Sequence, residues 1–230
     1  MGFILNIDTA TEHASVCISN NGQLLAMEES HEQKNHGSFL QPAIKKIMLD
    51  AGLNLSSLDA IAVTKGPGSY TGLRVGMASA KGLCYALNKP LILLNTLQVM
   101  AAASISNHVE SKTPIANLLF CPMIDARRME VFTALYNDCL EEVLASMALI
   151  LTEESFATEL DKHVTVFSGS GLHKFKNMMQ HTNAQYDYAT HTAANMIALS
   201  EKMYLQKEFA HLAYSEPYYI KEFFSPTPKQ

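Results

Sequence analysis

The segment best suited by its residue types to bind a ligand is 66–76, a glycine-rich stretch between a strand-like segment and a helical pattern. Its glycines and proline force a turn, and the turn leads into a helix N-terminus. Because such an end presents unpaired N–H groups and a partial positive charge, it suits a phosphate or a carboxylate. A Walker loop would also carry a lysine that reaches the terminal phosphate, and this run has none. The spacing therefore favours an architectural turn over a nucleotide site.

Histidine and cysteine are the next candidates, because imidazole and thiolate bind metals. No two of the nine histidines are four residues apart, the spacing that places two imidazoles on one helix face. His31 and His36 are predicted to be loop or surface residues, and His191 and His211 are isolated. The four cysteines form no CxxC pair, so we expect buried, reduced thiols. We predict no metal site and no cofactor.

Composition limits the class of protein. The chain has 230 residues, 48% of them hydrophobic, which is enough for a sizeable core in one domain or two lobes. A net charge of −5 argues against strong direct binding of nucleic acid, which needs clustered lysine and arginine. The N-terminus enters a strand-like run without a basic segment, and no apolar run reaches membrane-spanning length. We therefore expect a cytoplasmic protein with no membrane contact.

The elements that would position these residues follow the order βββαβαβ in the first half. They are strands at 3–8, 13–19 and 23–29, a helix at 38–51 capped by Ser38, a strand at 59–64, a helix at 69–88 and a strand at 91–94. This is the order of the ribonuclease H-like lobe of actin-like and sugar-kinase-like proteins.

The second half begins in the same way. Its predicted elements are strands at 117–124, 129–136 and 140–145, a helix at 152–160, a strand at 164–167 and a helix at 193–207. We predict an α/β protein of two lobes, residues 1–105 and a smaller, degenerate copy at 106–230. The last helix is a candidate to pack back on the first lobe.

One face of the second predicted helix carries small residues, because Gly72, Gly76 and Ala80 recur every four positions. Each glycine costs about 1 kcal/mol of helix propensity. A helix that accepts this cost gains close packing, either on its own core or on a second subunit. The spacing alone leaves both possibilities open.

Four segments of the chain resemble the TsaB family, formerly called YeaZ. They are residues 8–11, 66–74, 125–132 and 216–221, and their order and spacing cover nearly the whole chain. The motif residues are Asp8, Thr9, Thr11, Gly66, Pro67, Gly68, Ser69, Thr71, Arg74, Asp125 and Arg127. The Gly-Pro-Gly-Ser segment, taken together with the other three segments, identifies the family specifically, whereas Asp-Thr-Ala-Thr alone would be weak evidence.

The resemblance implies a two-lobed actin-like ATPase fold and a role in forming N-6-threonylcarbamoyladenosine beside the anticodon of tRNA. It implies that catalysis belongs to a TsaD-like partner, that a TsaE-like ATPase joins, and that this chain has no catalytic residue. It also implies a homodimer when the partner is absent, and contact with tRNA only through the complex. Pairing in the family uses first-lobe helices, and the interface residues predicted on that basis are Phe39, Leu40, Ile44, Gly72, Leu73, Gly76 and Ala80.

Three features of the sequence each allow two interpretations, one structural and one functional. In actin-like folds an aspartate at the position of Asp8 lies beside nucleotide-bound magnesium, but a cap on the following turn is favoured here. Residues 168–171 resemble the adenosine-side turn of that fold, although short Gly-Ser turns are abundant. Asp125 with Arg127 and Arg128 forms either a local ion pair in a solvated turn or a contact to a partner.

Two rival functions remain. An ATP-using or peptidase-like enzyme of the same fold would need an intact phosphate loop and metal-binding side chains, for which the chain offers few candidates. A structural homodimer with a role outside tRNA modification is the other rival. Loss of the modified nucleoside on depletion of the protein would count against it.

Overall fold

The chain forms two five-stranded mixed sheets with helices on their faces, in a computed structural model that describes residues 2–32, 35–112, 114 and 116–221. The strands of the first sheet are β1 (Phe3–Asp8), β2 (Ala14–Asn20), β3 (Gln23–Ser30), β4 (Ala60–Gly66) and β5 (Leu91–Asn95). Those of the second are β6 (Leu119–Asp125), β7 (Glu130–Tyr136), β8 (Glu142–Ile150), β9 (Thr165–Ser168) and β10 (Ala184–Asp187). The helices are α1 (His36–Asp50), α2 (Tyr70–Leu87), α3 (Thr96–Glu110), α4 (Ala157–Leu160), α5 (Leu172–Lys176) and α6 (Ile197–Gln206), with 3-10 turns at Leu55–Ser57 and Ala193–Met196.

The two sheets share one topology. Their strand orders are β3-β2-β1-β4-β5 and β8-β7-β6-β9-β10. In each, the first strand pairs antiparallel with the second and parallel with the fourth. This repeat confirms the predicted α/β class and the two-lobed actin-like ATPase fold. We call the first sheet with α1 and α2 the first lobe, and the second sheet with α4 and α5 the second lobe.

Alternation along β1 places its side chains on two covered faces of the first sheet. Leu5 and Ile7 pack with apolar residues of α1 and α2, whereas Ile4 packs in a second cluster with residues of α3 and α6. Since both faces are covered, the central strands read as nearly continuous apolar runs. Asp8 therefore stands out as a carboxylate at the end of a buried strand.

Helix α3 lies between the two sheets. Its residues Leu97 and Met100 cluster with Phe120 and Val166 of the second sheet, and its Val99 packs in the cluster on the first sheet. Helix α6 contacts β1 and β5. The division predicted at 105/106 falls inside α3 and stays a prediction.

Three elements, α3, α5 and β10, were not predicted. Helix α3 is buried against both sheets, so its apolar residues form no single stripe in the sequence. Helix α5 and strand β10 have five and four residues, which is too short for a periodic pattern.

Two predicted helix boundaries were wrong. Helix α1 begins at His36 rather than after Ser38, and Ser38 Oγ donates to the carbonyl of Asn35 instead of capping the helix. The helix predicted at 152–160 is confined to α4, because Thr152–Ser155 bonds form a turn before it.

Candidate functional site

The glycines of the turn after β4 allow its close approach to the loop that follows β1. A Cβ on Gly68 would overlap the carbonyl of Ala10, one on Gly72 the carbonyl of Thr9, and one on Gly76 the hydroxyl of Thr9. Thr9 Oγ1 donates to the Gly72 carbonyl at 2.7 Å. The turn and the β1 loop therefore form one packed unit, which favours the architectural interpretation over a phosphate site.

The N-terminus of α2 is largely occupied by this unit. Ser69 caps the helix, accepting from the backbone N–H of Gly72 at 3.3 Å. The Ser69 N–H donates to Ala10 O at 2.7 Å. The bond between Gly66 and Pro67 is cis.

Six of the seven predicted interface residues face the interior of this subunit. Those six are Leu40, Ile44, Gly72, Leu73, Gly76 and Ala80, and Phe39 is half-buried. The small-residue face of α2 is therefore used for packing inside the subunit, on Thr9 and on Ile7 of β1. Pairing through α1 and α2 stays a prediction, but these six residues do not lie on the helices' outer surface.

The C-terminal strap, residues 211–221, crosses the turn from the other side. The Tyr218 N–H donates to the carbonyl of Lys65 at 2.6 Å. Gly66 has a φ of +122°, and a Cβ there would overlap the Tyr218 carbonyl. Glycine is required at this position both by its backbone conformation and by the strap.

Arg74 fastens the end of the strap to α2. Its guanidinium lies 4.1 Å from the ring centre of Tyr70, and its Nε donates to the Tyr219 hydroxyl at 3.2 Å. The Tyr70 and Tyr219 rings stack with centres 5.3 Å apart. The resemblance motifs at 66–74 and 216–221, which are distant in sequence, are therefore adjacent in space.

Asp8 is buried, with 1% of its surface exposed, and two hydrogen-bond donors and an imidazole ring surround it. Its Oδ1 accepts from the Ala10 N–H at 3.0 Å and from Thr64 Oγ1 at 2.9 Å. Its Oδ2 lies 3.1 Å from Nε2 of His191. Burial alone would raise the pKa of the Asp8 carboxyl, but His191 and the two hydrogen bonds together bring that pKa below its ordinary value.

Two expectations about histidines were wrong. His36 is not a surface residue: it is buried at the start of α1, where Nε2 lies 2.8 Å from the Thr11 carbonyl. His191 is not isolated, since it pairs with Asp8. The pairing left no signal in the sequence because the two residues lie on different elements far apart along the chain. His31 is exposed, with its Nδ1 2.6 Å from that of His13.

A cleft of about 620 Å³ opens between the lobes above Asp8 and His191. It is lined by Thr11, Glu12, His13, Met100, Asp125, Arg127, Gly169, Ser170, His173, Tyr188, Ala189, Thr190 and His191. On the second-lobe side, Asp125 Oδ1 accepts from Lys174 Nζ at 2.6 Å and from the Arg127 N–H at 2.6 Å. Burial tends to raise the pKa of Asp125, and Lys174 and the Arg127 N–H lower it below its ordinary value. The predicted turn is present, but the ion pair of Asp125 is formed with Lys174 of α5 and not with Arg127 or Arg128.

The motif residues fall into four groups. Asp8, Thr9, Gly66, Pro67, Gly68 and Ser69 lie in the packed turn and β1 loop. Thr11, Asp125 and Arg127 line the cleft, Arg74 holds the strap, and Thr71 is exposed on α2.

Other candidate chemistry is weak in the described part of the chain. It holds no group of three or more His, Cys, Asp or Glu side chains placed to bind a metal ion. Burial raises the pKa of the Cys17, Cys84 and Cys121 thiols to about 12, so these three are poor nucleophiles. The expectation of buried thiols is wrong for Cys139, which is exposed. No helix in the same residues has both the length and the hydropathy to span a membrane.

Comparison with known proteins places these features in a family. Residues 25–223 match the family model of TsaD, tRNA N6-adenosine threonylcarbamoyltransferase. The tRNA threonylcarbamoyladenosine biosynthesis protein TsaB of Bacillus subtilis is 30% identical over 209 residues, which are 89% of this chain and 87% of that protein. The chain belongs to this family, as a TsaB-type member.

Further similarity extends over the whole TsaB-type chain. TsaB of Haemophilus influenzae is 28% identical over 230 residues, covering 95% of this chain and 93% of that protein. The solved structure of YeaZ from Pseudomonas aeruginosa superposes with a TM-score of 0.78 at 27% identity, covering 95% of this chain and all of the other. Both lobes therefore have counterparts in relatives, and the resemblance read from the four motifs is confirmed.

Proposed function

We propose that this chain is a non-catalytic accessory subunit for transfer of the threonylcarbamoyl group to the adenosine beside the tRNA anticodon. A TsaD-like subunit performs the transfer, and a TsaE-like ATPase joins the assembly in the cytoplasm. Family membership over most of the chain carries the proposal. The site chemistry supports it, because the glycine turn is filled by the protein's own backbone and by the strap.

The surface that we propose for the partner is the outer face of α1 and α2. On α2 this face consists of exposed positions spaced three and four residues apart, namely Thr71, Arg74, Ala78, Gly82 and Tyr85. Gly82 has open space around its Cα, and the Tyr85 ring is 84% exposed. Leu49 of α1 is 68% exposed on the neighbouring helix. Small residues beside exposed apolar ones suit close packing against another helix. The same face serves for a homodimer when the partner is absent.

The functional test is threonylcarbamoyladenosine formation on tRNA by purified TsaD-like and TsaE-like subunits supplied with threonylcarbamoyl-adenylate. We expect strong dependence on this chain and no product from this chain alone. Product formed by the chain alone would favour the enzyme interpretation. Equal product without the chain would favour a homodimer with another role.

The surface is tested by Ala78→Arg, with Ala198→Arg as the matched control, because Ala198 is an exposed alanine on α6. A bulky charge at Ala78 places an unpaired cation in the proposed helix contact, so binding to the TsaD-like subunit should weaken about tenfold or more. Binding by the control and the unfolding midpoints of both variants should match the unmodified protein. If Ala78→Arg binds as tightly as the control, the partner uses another face.

A further inference from the structure

A buried pair, Asp8 and His191, lies beside the cleft between the lobes, and His191 is one of the residues that line this cleft. Asp8 ends the central strand of the first sheet, and His191 lies in the segment that leads from β10 back to α6. Only 1% of the aspartate and 7% of the histidine is exposed. The contact from Nε2 to Oδ2 is 3.1 Å. It therefore joins the second half of the chain to the first sheet at the edge of the cleft.

The fold implies a magnesium nucleotide at this position, and the residues present do not fit one. Magnesium needs near-octahedral ligands at about 2.0–2.1 Å and usually keeps several waters, so it requires open space beside a carboxylate. Oδ1 of Asp8 accepts hydrogen bonds from Ala10 and Thr64, and the His191 ring lies against Oδ2 with its Nε2 3.1 Å away. The imidazole takes the side of the carboxylate that an ion would occupy.

The histidine is also held by its own neighbours. Two residues beyond it, the Ala193 N–H donates to Ser15 Oγ of β2 at 2.8 Å. Thr192 and Asn195 form a capping box on the 3-10 turn Ala193–Met196. The backbone that carries His191 is therefore held on the first sheet, next to Asp8.

We propose that His191 is a built-in substitute for the metal ion: it occupies the Oδ2 side of Asp8, holds the segment after β10 on the first sheet, and excludes a divalent cation with its nucleotide from the cleft. His191 is thus a positioning residue, and the cleft serves as a fixed joint. The proposal concerns the cleft and is independent of the partner surface on α1 and α2.

The test uses manganese ion alone and manganese with ADP as probes, with bound metal measured by electron paramagnetic resonance. The variants are His191→Ala, the double change His191→Ala with Asp8→Asn, and His13→Ala. His13 is the matched control, because it lines the same cleft without being hydrogen-bonded to Asp8. Thermal unfolding checks that each variant is folded.

We expect the unmodified protein and His13→Ala to show the same weak background. His191→Ala should bind manganese about tenfold or more tightly, because it frees one oxygen of a buried carboxylate. Adding Asp8→Asn should remove that gain. A folded His191→Ala protein without the gain would overturn the proposal, as would tight Asp8-dependent manganese–ADP binding by the unmodified protein.

A second variant and a second measurement cover the case in which His191→Ala does not fold. His191→Gln keeps an N–H donor toward Asp8 and should hold the fold with a smaller gain. In nuclear magnetic resonance spectra of the unmodified protein, manganese–ADP should leave the His191 imidazole signals unbroadened. Selective broadening of those signals would mean that the metal reaches Asp8, contrary to the proposal. None of these readouts involves tRNA, so they fail or succeed separately from the accessory role.

Discussion

Asp8 and Asp125 occupy equivalent positions in the two lobes, and their surroundings differ. Asp8 is the last residue of β1, and Asp125 is the last residue of β6. The Oδ1 of each accepts from the backbone N–H two residues later in the chain, which is Ala10 for Asp8 and Arg127 for Asp125. Asp8 is 1% exposed and faces His191, whereas the Asp125 side chain is 41% exposed and faces Lys174. The same short turn is thus built into a buried joint in one lobe and into a solvated ion pair in the other.

The helices that connect the strands also differ between the lobes, because those of the first lobe are much longer. Helices α1 and α2 have 15 and 18 residues, and their second-lobe counterparts α4 and α5 have four and five. The long pair covers its sheet and still leaves an outer face for a partner. The short pair closes its own core, with Phe156, Phe167 and Phe175 in edge and tilted contacts. The repeat therefore preserves the topology while the lengths of the connecting helices differ between the lobes.

The largest expected effect comes from exchanging each aspartate for asparagine. Asp8→Asn should lower the free energy of unfolding by about 3–5 kcal/mol, because it breaks a buried pair and leaves His191 without its partner. Asp125→Asn should cost less than about 1 kcal/mol, since its pair is exposed. Urea unfolding of the two single variants measures both. Equal losses would mean that the two turns are energetically equivalent, and that burial does not distinguish the lobes.

A second effect separates the inner from the outer face of α2. Gly72→Ala should destabilise the fold by about 1–3 kcal/mol, because its Cβ meets the Thr9 carbonyl, a backbone atom that cannot easily move. Gly82→Ala is the matched control on the same helix, where open space lets alanine gain up to about 1 kcal/mol of helix propensity.

Thermal unfolding compares the two glycine variants directly. If both are neutral, the β1 loop yields to the added methyl group and the packing is looser than described. A substitution at Gly76 should destabilise the fold as one at Gly72 does, because it disturbs packing inside the subunit rather than a contact with a partner.

Local pattern was enough to predict the first lobe, and less of the second. The strand at 3–8 and the helix after Ser69 carry strong signals, an apolar run in the first and a glycine turn followed by helical apolar spacing in the second, and both formed as predicted. The small-residue face of α2 was located correctly, but spacing cannot tell an inner from an outer close contact. Pairing of Asp8 with His191, and of Arg74 with Tyr219, depends on tertiary folding between distant segments. Short elements such as β10 have too few residues to show a period.

The smallest expected effect is on the acid side of the stability profile. The pKa of folded Asp8 lies below its ordinary value of 3.8, so its carboxylate contributes stability at higher pH. That contribution is lost as the pH falls through the folded pKa. Unfolding free energy measured between pH 6 and pH 2 should therefore fall more steeply for the unmodified protein than for Asp8→Asn. One proton accounts for up to about 1.4 kcal/mol per pH unit.

The Asp125 carboxyl also has a lowered pKa, but its exposure sets it apart in this experiment. Screening by salt weakens an exposed pair far more than a buried one. Added salt should therefore bring the acid profile of the unmodified protein toward that of Asp125→Asn, while its difference from Asp8→Asn persists. If salt removed both differences equally, Asp8 would be accessible to solvent, and the contrast between a buried joint and a surface pair would not hold.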